Sequence, residues 1–206
     1  MGIKQNKDNY ANYQEIVSNW RLQRKVMLLD KQWPTILNQL KEKFAVYGLT
    51  KLDTGKFGNI SSMEEWRYEE LKGLGIEFSE NSEIPSSTSQ GSNGAVFFKG
   101  IFITGELSKS QTLGVYWNIV KGHIVVMIDD RIEHLKDIQK FCEEHSISFI
   151  GILFEGLENF REQQGSAVFN LQKEYLIQHA QWLEDEEAMQ MLDSAKEMAH
   201  SGDAVL

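Results

Sequence analysis

Residues 124–131 read I-V-V-M-I-D-D-R, an unbroken aliphatic run that stops at two aspartates. A run of this length and composition predicts a strand buried on both faces of a parallel sheet. In open α/β sheets ligands bind at the carboxyl ends of the strands, which is where Asp129 and Asp130 fall. Adjacent carboxylates there are costly unless solvated, hydrogen-bonded or holding a cation. As a pair they suit Mg²⁺, a hard ion that takes oxygen ligands. The plainer reading is that Asp130 caps the helix that follows.

Working outward, residues 132–145 carry a helical pattern and 148–154 a last apolar strand. Upstream, 109–120 predicts a helix, and 95–98 with 101–104 predict a tight hairpin around Lys99-Gly100. Residues 45–49, A-V-Y-G-L, predict a short strand closed by Thr50, and the turn formers after it predict a loop. Ser61-Ser62 ahead of Glu64-Glu65 is a helix start of the capping-box type, running to about Lys72 and ended by Gly73 or Gly75. The periodicity predicts a first helix over 11–27 and a second opening at Trp33-Pro34, with Ile36, Leu37, Leu40 and Phe44 as its buried stripe. The serine-rich stretch 79–94 is expected to be a loop. Residues 157–198 are expected to be mainly helical, with Phe169, Leu171, Tyr175, Leu176 and Trp182 inward and Met189, Met191 and Met198 as packing residues.

Alternating strands and helices make the chain α/β: a Rossmann-like, mainly parallel sheet flanked by helices, with a short β-hairpin and a helical C-terminal segment. The expected organisation is a loose 1–11, one domain over 12–185 and an acidic tail over 186–206. With 206 residues, 41% hydrophobic and 25% charged, the composition is that of a globular protein. A net charge of −9 argues against a nucleic-acid-binding surface. No apolar stretch nears the ~20 residues that span a bilayer, and the N-terminus lacks a signal-peptide core. The expected location is the cytoplasm. Cys142 is alone, which excludes an intramolecular disulfide, and a half-buried structural thiol is expected. The five histidines lack ligand spacing and are expected to be structural or solvated.

Three positions fall at strand ends or just beyond: Thr50, Lys109 and the Asp129/Asp130 pair. A hydroxyl and an ammonium suit phosphoryl oxygens, and paired carboxylates suit Mg²⁺. Taken in order, Y-G-L-T (Thr50), S-K-S-Q-T-L-G (Lys109) and V-V-M-I-D-D-R resemble the second, third and fourth motifs of the haloacid-dehalogenase-like superfamily. Finer features, W-P-T-I-L-N-Q-L, L-K-G-L-G-I-E-F-S, G-I-F-I-T-G and I-S-F-I-G-I-L-F-E-G, are similar to a group of uncharacterised bacterial proteins within it. The resemblance implies phosphoryl transfer through an aspartyl-phosphate, with Thr50 and Lys109 on the phosphate and Asp129 and Asp130 on Mg²⁺.

The superfamily's nucleophilic Asp-x-Asp is missing: Asp8 and Asp30 are the only aspartates before Thr50, and Asp30 is followed by Lys31-Gln32. Without it covalent catalysis has no attacking atom. The chain is therefore expected to be a binding or regulatory module, with at most a weak phosphate or Mg²⁺ site and catalytically inactive alone. The alternative is one part of a Mg²⁺-dependent phosphomonoester hydrolase, its nucleophile strand lying upstream or on another chain. Expected partners are a protein or second chain and a phosphorylated small molecule, with no nucleic acid and no membrane. The resemblance also implies a missing central strand, filled by Met27–Leu29 with Val26 or by a partner chain.

Overall fold

The computed structural model describes residues 10–84, 94–156 and 167–202. The chain folds as two compact units, one from residues 1–25 and 158–206 and the other from 26–157.

In the larger unit, helix α2 (Trp33–Lys41) starts with Pro34 in its first turn, where the missing N–H costs no bond. Its stripe is not buried as expected. No α2 residue is buried, and Phe44 lies beyond the helix end at 62% exposure. Strand β1 (Gly48–Thr50) begins three residues later than the sequence predicts. Helix α3 (Met63–Gly73) is capped by Ser62, whose hydroxyl accepts from the Glu65 amide, and Gly75 takes the left-handed conformation that ends it. Glu64 is fully buried, its carboxylate accepting from the Gly55 amide and the Ser62 hydroxyl. That carboxylate fastens the loop after β1 to the start of α3.

Strands β2 (Val96–Phe98) and β3 (Ile101–Ile103) form the expected hairpin around Lys99-Gly100, both at positive φ. A Cβ on Gly100 would sit 2.7 Å from Phe78 Cβ and from the Ser79 carbonyl oxygen, so only glycine fits this turn. Of the expected 79–94 loop, residues 85–93 lie outside the described residues. Helix α4 (Lys109–Val120) has a complete capping box, with Ser108 and Gln111 each bonding the other's backbone. Strand β4 (Ile124–Asp129), helix α5 (Ile132–Glu144) and strand β5 (Ser148–Leu153) follow.

The α/β class holds, with the strands in two sheets: β1-β3-β2, in which β1 runs parallel to β3, and a parallel β4-β5 pair. Their link is α5, where Ile138, Phe141 and the fully buried Cys142 pack against Leu49 of β1, Val125 and Met127 of β4, and Phe149 of β5. Cys142 is thus deeper than the half-buried position expected. A second cluster joins Phe97, Phe102 and Ile84 with Tyr47 and Tyr116. Strand β4 departs from its expected burial on both faces. Its odd positions face α5, while Ile124, Val126 and Ile128 are 52%, 56% and 45% exposed.

In the smaller unit, helix α1 (Tyr13–Gln23) buries Ile16, Val17, Ser18 and Arg21. It ends short of the expected residue 27, because Arg24 turns to an extended conformation. Helix α6 (Ala167–His179) buries Leu176 and Gln172, and the Gln172 amide donates to the Leu183 carbonyl and the Asp185 carboxylate at the start of helix α7 (Asp185–Gly202). Phe169, Leu171, Tyr175 and Trp182 are half-buried. Met189, Met191 and Met198 are exposed, contrary to the packing role expected of them. The acidic first turn of α7, with Asp185, Glu186 and Glu187, complements the helix dipole.

Candidate functional site

The parallel arrangement brings the carboxyl ends of β1, β3 and β4 to one edge of the larger unit. Thr50 closes β1, and its carbonyl accepts from the Thr104 amide just past β3. Lys109 opens α4, four residues after the turn at Gly105, and its ammonium bonds the Asp129 carboxylate at the end of β4. Both side chains are buried, Lys109 to 9% exposure and Asp129 to 4%. A lysine at a helix start is ordinarily solvated. Here the crossover from β3 through α4 to β4 folds it inward, a placement set by topology and absent from the local sequence.

Asp129 accepts three hydrogen bonds, shared between both its oxygens. One oxygen takes Lys109; the other accepts from the Arg131 amide at 2.9 Å and from His134 Nδ1 at 3.1 Å. A carboxylate only accepts, so Nδ1 of His134 carries the proton in this bond. Burial pushes the Asp129 pKa up, but Lys109, the Arg131 amide and His134 together outweigh it and hold the carboxyl below its ordinary range. His134, expected to be structural or solvated, is therefore part of the cluster. Its signal in the sequence was positional: a histidine in the first turn of a helix, five residues after a strand-ending aspartate.

Asp130 neither caps α5 nor shares the Asp129 environment. The N-cap is Arg131, with no side-chain capping bond, and Asp130 is half-buried. Consecutive residues at the end of a strand point to opposite sides. Thr50 lines a shallow depression of about 250 Å³ with Arg67, Leu71 and Phe78. Lys51 is also committed, its ammonium donating to the carbonyls of Gly105, Glu106 and Leu107. Ser110 clamps α4 to α5 by giving both its amide and its hydroxyl to Asp137.

The donor set does not fit Mg²⁺ as it stands. Among the described residues no three His, Cys, Asp or Glu side chains converge on one point. The buried Asp129 carboxylate has its charge matched by an ammonium that a cation would have to expel. A hard octahedral ion draws on one or two carboxylates together with substrate oxygens and waters, and here the first of those carboxylates is spoken for.

A family of proteins of unknown function, DUF2608, has a sequence profile that matches residues 2–189, and the chain belongs to that family. The chain is also similar to an uncharacterized protein of Rickettsia prowazekii (strain Madrid E), 27% identical over a 192-residue match that covers 90% of this chain and 69% of the relative. No solved structure matches it. These findings correct the haloacid-dehalogenase-like resemblance: the matching family is a distinct one, and the ordered motifs do not carry that superfamily's identity or its chemistry to this chain. Among the described residues no helix is long and apolar enough to cross a membrane.

Proposed function

We propose that this member of the DUF2608 family is a non-catalytic binding module whose strand-end cluster takes a small phosphorylated anion only weakly. The observation that carries this reading is the engagement of both Asp129 oxygens, which are held by Lys109, the Arg131 amide and His134. A general base or nucleophile needs a free lone pair facing its substrate, and this carboxylate has committed three of its about four acceptor sites to positioning. The same pairing blunts Lys109 as an anion receptor. A phosphate must compete with Asp129 for the ammonium. Mg²⁺ meets the mirror-image obstacle.

The test is hydrolysis of an aryl phosphate by the purified chain, with Mg²⁺ and with chelator, beside Asp129→Asn/Asp130→Asn. The expected result is no turnover above that variant under either condition. Mg²⁺-dependent turnover that the double substitution abolishes overturns the reading. A phosphate titration followed by thermal unfolding completes it. Binding with a Kd no tighter than about 10 mM stabilises by no more than about 0.4 kcal/mol at 10 mM ligand, so the midpoint is expected to stay within error.

A further inference from the structure

In the larger unit the parallel β4–β5 pair has one face packed and one face open. Ile138, Phe141 and Cys142 of α5 lie against Val125, Met127 and Phe149, odd-numbered residues of the two strands. The even-numbered residues share the other face, in three register pairs: Ile124 with Ser148, Val126 with Ile150 and Ile128 with Ile152. Ile150 and Ile152 are as exposed as the three aliphatic residues of β4 opposite them. The V-M-L-L run at 26–29 joins neither sheet. Parallel sheets are found with both faces covered, and a two-stranded sheet is marginal by itself in water. A bare aliphatic face on such a pair is therefore a surface that calls for an occupant.

The make-up of the face and its extent narrow what that occupant is. Five of its six side chains are branched aliphatics, with a single hydroxyl, Ser148, at one corner and no charge to select an ionic partner. It is also symmetric about its centre, the Val126–Ile150 pair having one register pair on either side. A twofold axis along that pair lays β4 antiparallel over β4 of a second copy, Val126 on Val126 and Ile124 on Ile128. Such an interface is self-complementary and closes at two copies. About half the surface of five aliphatic residues is on the order of 400 Å² per copy, a patch of the size that is often functional. The rim adds to it: Phe154 follows on the same side by alternation, and Trp33 of α2 stands edge-on to its ring, centres 6.1 Å apart, with Ile36 exposed one turn on. The total for two copies reaches about 1,000 Å², the lower limit of specific interfaces, which makes the association weak.

We infer that the open face of the β4–β5 pair joins two copies of this chain into a weak, twofold-symmetric dimer with Val126 and Ile150 at its centre. The inference goes beyond the strand-end cluster and uses none of its chemistry. Asp129 is an odd-numbered residue on the packed side of β4, so binding at that cluster and association through this face can fail separately.

The experiment is sedimentation equilibrium of the full chain, in about 0.15 M salt so that repulsion between copies of net charge −9 is screened. A monomer–dimer equilibrium is expected, with a Kd of about 10–100 μM, weaker than the micromolar limit of standard-sized interfaces. Loadings span both sides of that value. Val126→Lys and Ile150→Lys each place an ammonium from either copy in the water-excluded centre, and each is expected to raise Kd at least about tenfold. Val115→Lys is the matched control. Val115 is comparably exposed on α4, whose Leu113 and Trp117 pack on the α5 cluster, so it lies away from the open face and its Kd is expected to equal the native value. Thermal melts of the three variants well below Kd are expected to superimpose on the native melt, which separates lost association from lost folding. Five outcomes overturn the inference: a chain monomeric at every loading, which leaves the face to the rest of the chain or to another protein; association that continues past two copies; a dimer that both lysines leave intact; equal weakening by Val115→Lys; or lysine variants that unfold, which shows the face covered within one chain.

Discussion

Asp129→Ala is expected to lower the stability of the larger unit by about 3–5 kcal/mol, the range seen when one member of a buried ion pair is removed. The magnitude follows from what stays behind. Lys109 is 9% exposed and has this carboxylate as its ion-pair partner, so the substitution strands an ammonium in a poorly solvated site. It also orphans the Arg131 amide and His134 Nδ1 at the first turn of α5. Asp129→Asn keeps an acceptor and should cost less. Replacing both partners with apolar residues of similar size, Lys109→Met with Asp129→Leu, is expected to recover much of the loss, because the desolvation of two charges disappears with the pair. Urea midpoints of the native protein and the three variants provide the check, and a recovery no better than the Asp129→Ala value sinks the account.

The same carboxylate sets a pH dependence of known sign. Its folded pKa lies below the unfolded value, so the unfolded state binds the proton first. The stabilisation is complete above about pH 4, the ordinary aspartate range, and is lost as pH falls through the folded value. The advantage of the native protein over Asp129→Asn should therefore be flat from pH 7 to about 5 and shrink at lower pH. A gap that widens on acidification contradicts this.

Phe97→Ala is the second large effect, at about 3–5 kcal/mol for truncating a buried aromatic. Phe97 is 1% exposed on β2, its ring 4.8 Å from Phe102 and 6.1 Å from Tyr47, in edge and tilted arrangements that add to area burial. The void left would be lined by Tyr47, Phe102 and Tyr116, rings too stiff to collapse into it. Tyr116 is further held by a bond from its hydroxyl to the Ala95 carbonyl. The contrast is Phe44→Ala, at a position 62% exposed, which should stay within about 0.5 kcal/mol. Denaturant midpoints that rank these two in the opposite order would show that the core is elsewhere.

That contrast also shows what could be read from the sequence. Phe44 and Phe97 are both aromatic residues beside apolar neighbours, and local spacing placed Phe44 in a buried stripe. Elements with their own punctuation were legible: Ser108 with Gln111 marked the start of α4, Lys99-Gly100 marked the hairpin, and the aspartates marked the end of β4. What was not legible depends on partners far along the chain. A run that is apolar at every position carries no mark of which face is covered, so the exposure of Val126 was invisible. The Lys109–Asp129 bond spans 20 residues and rests on a crossover that no local pattern encodes. His134 escaped because metal-ligand spacing was the criterion, whereas its role is to orient a carboxylate.

The depth of the Lys109–Asp129 pair has a last consequence, for ionic strength. At physiological salt the screening length is about 8 Å, which weakens pairs bathed in counterions and barely reaches one that excludes them. Lys140–Glu144 and Lys196–Asp193, at 60% exposure or more, belong to the first kind. A chain of net charge −9 also repels itself, and dissolved ions relieve that repulsion. Brine therefore strips little from the clasp at the carboxyl edge while it eases the strain of the surrounding surface, so the fold is one that saltier water should favour.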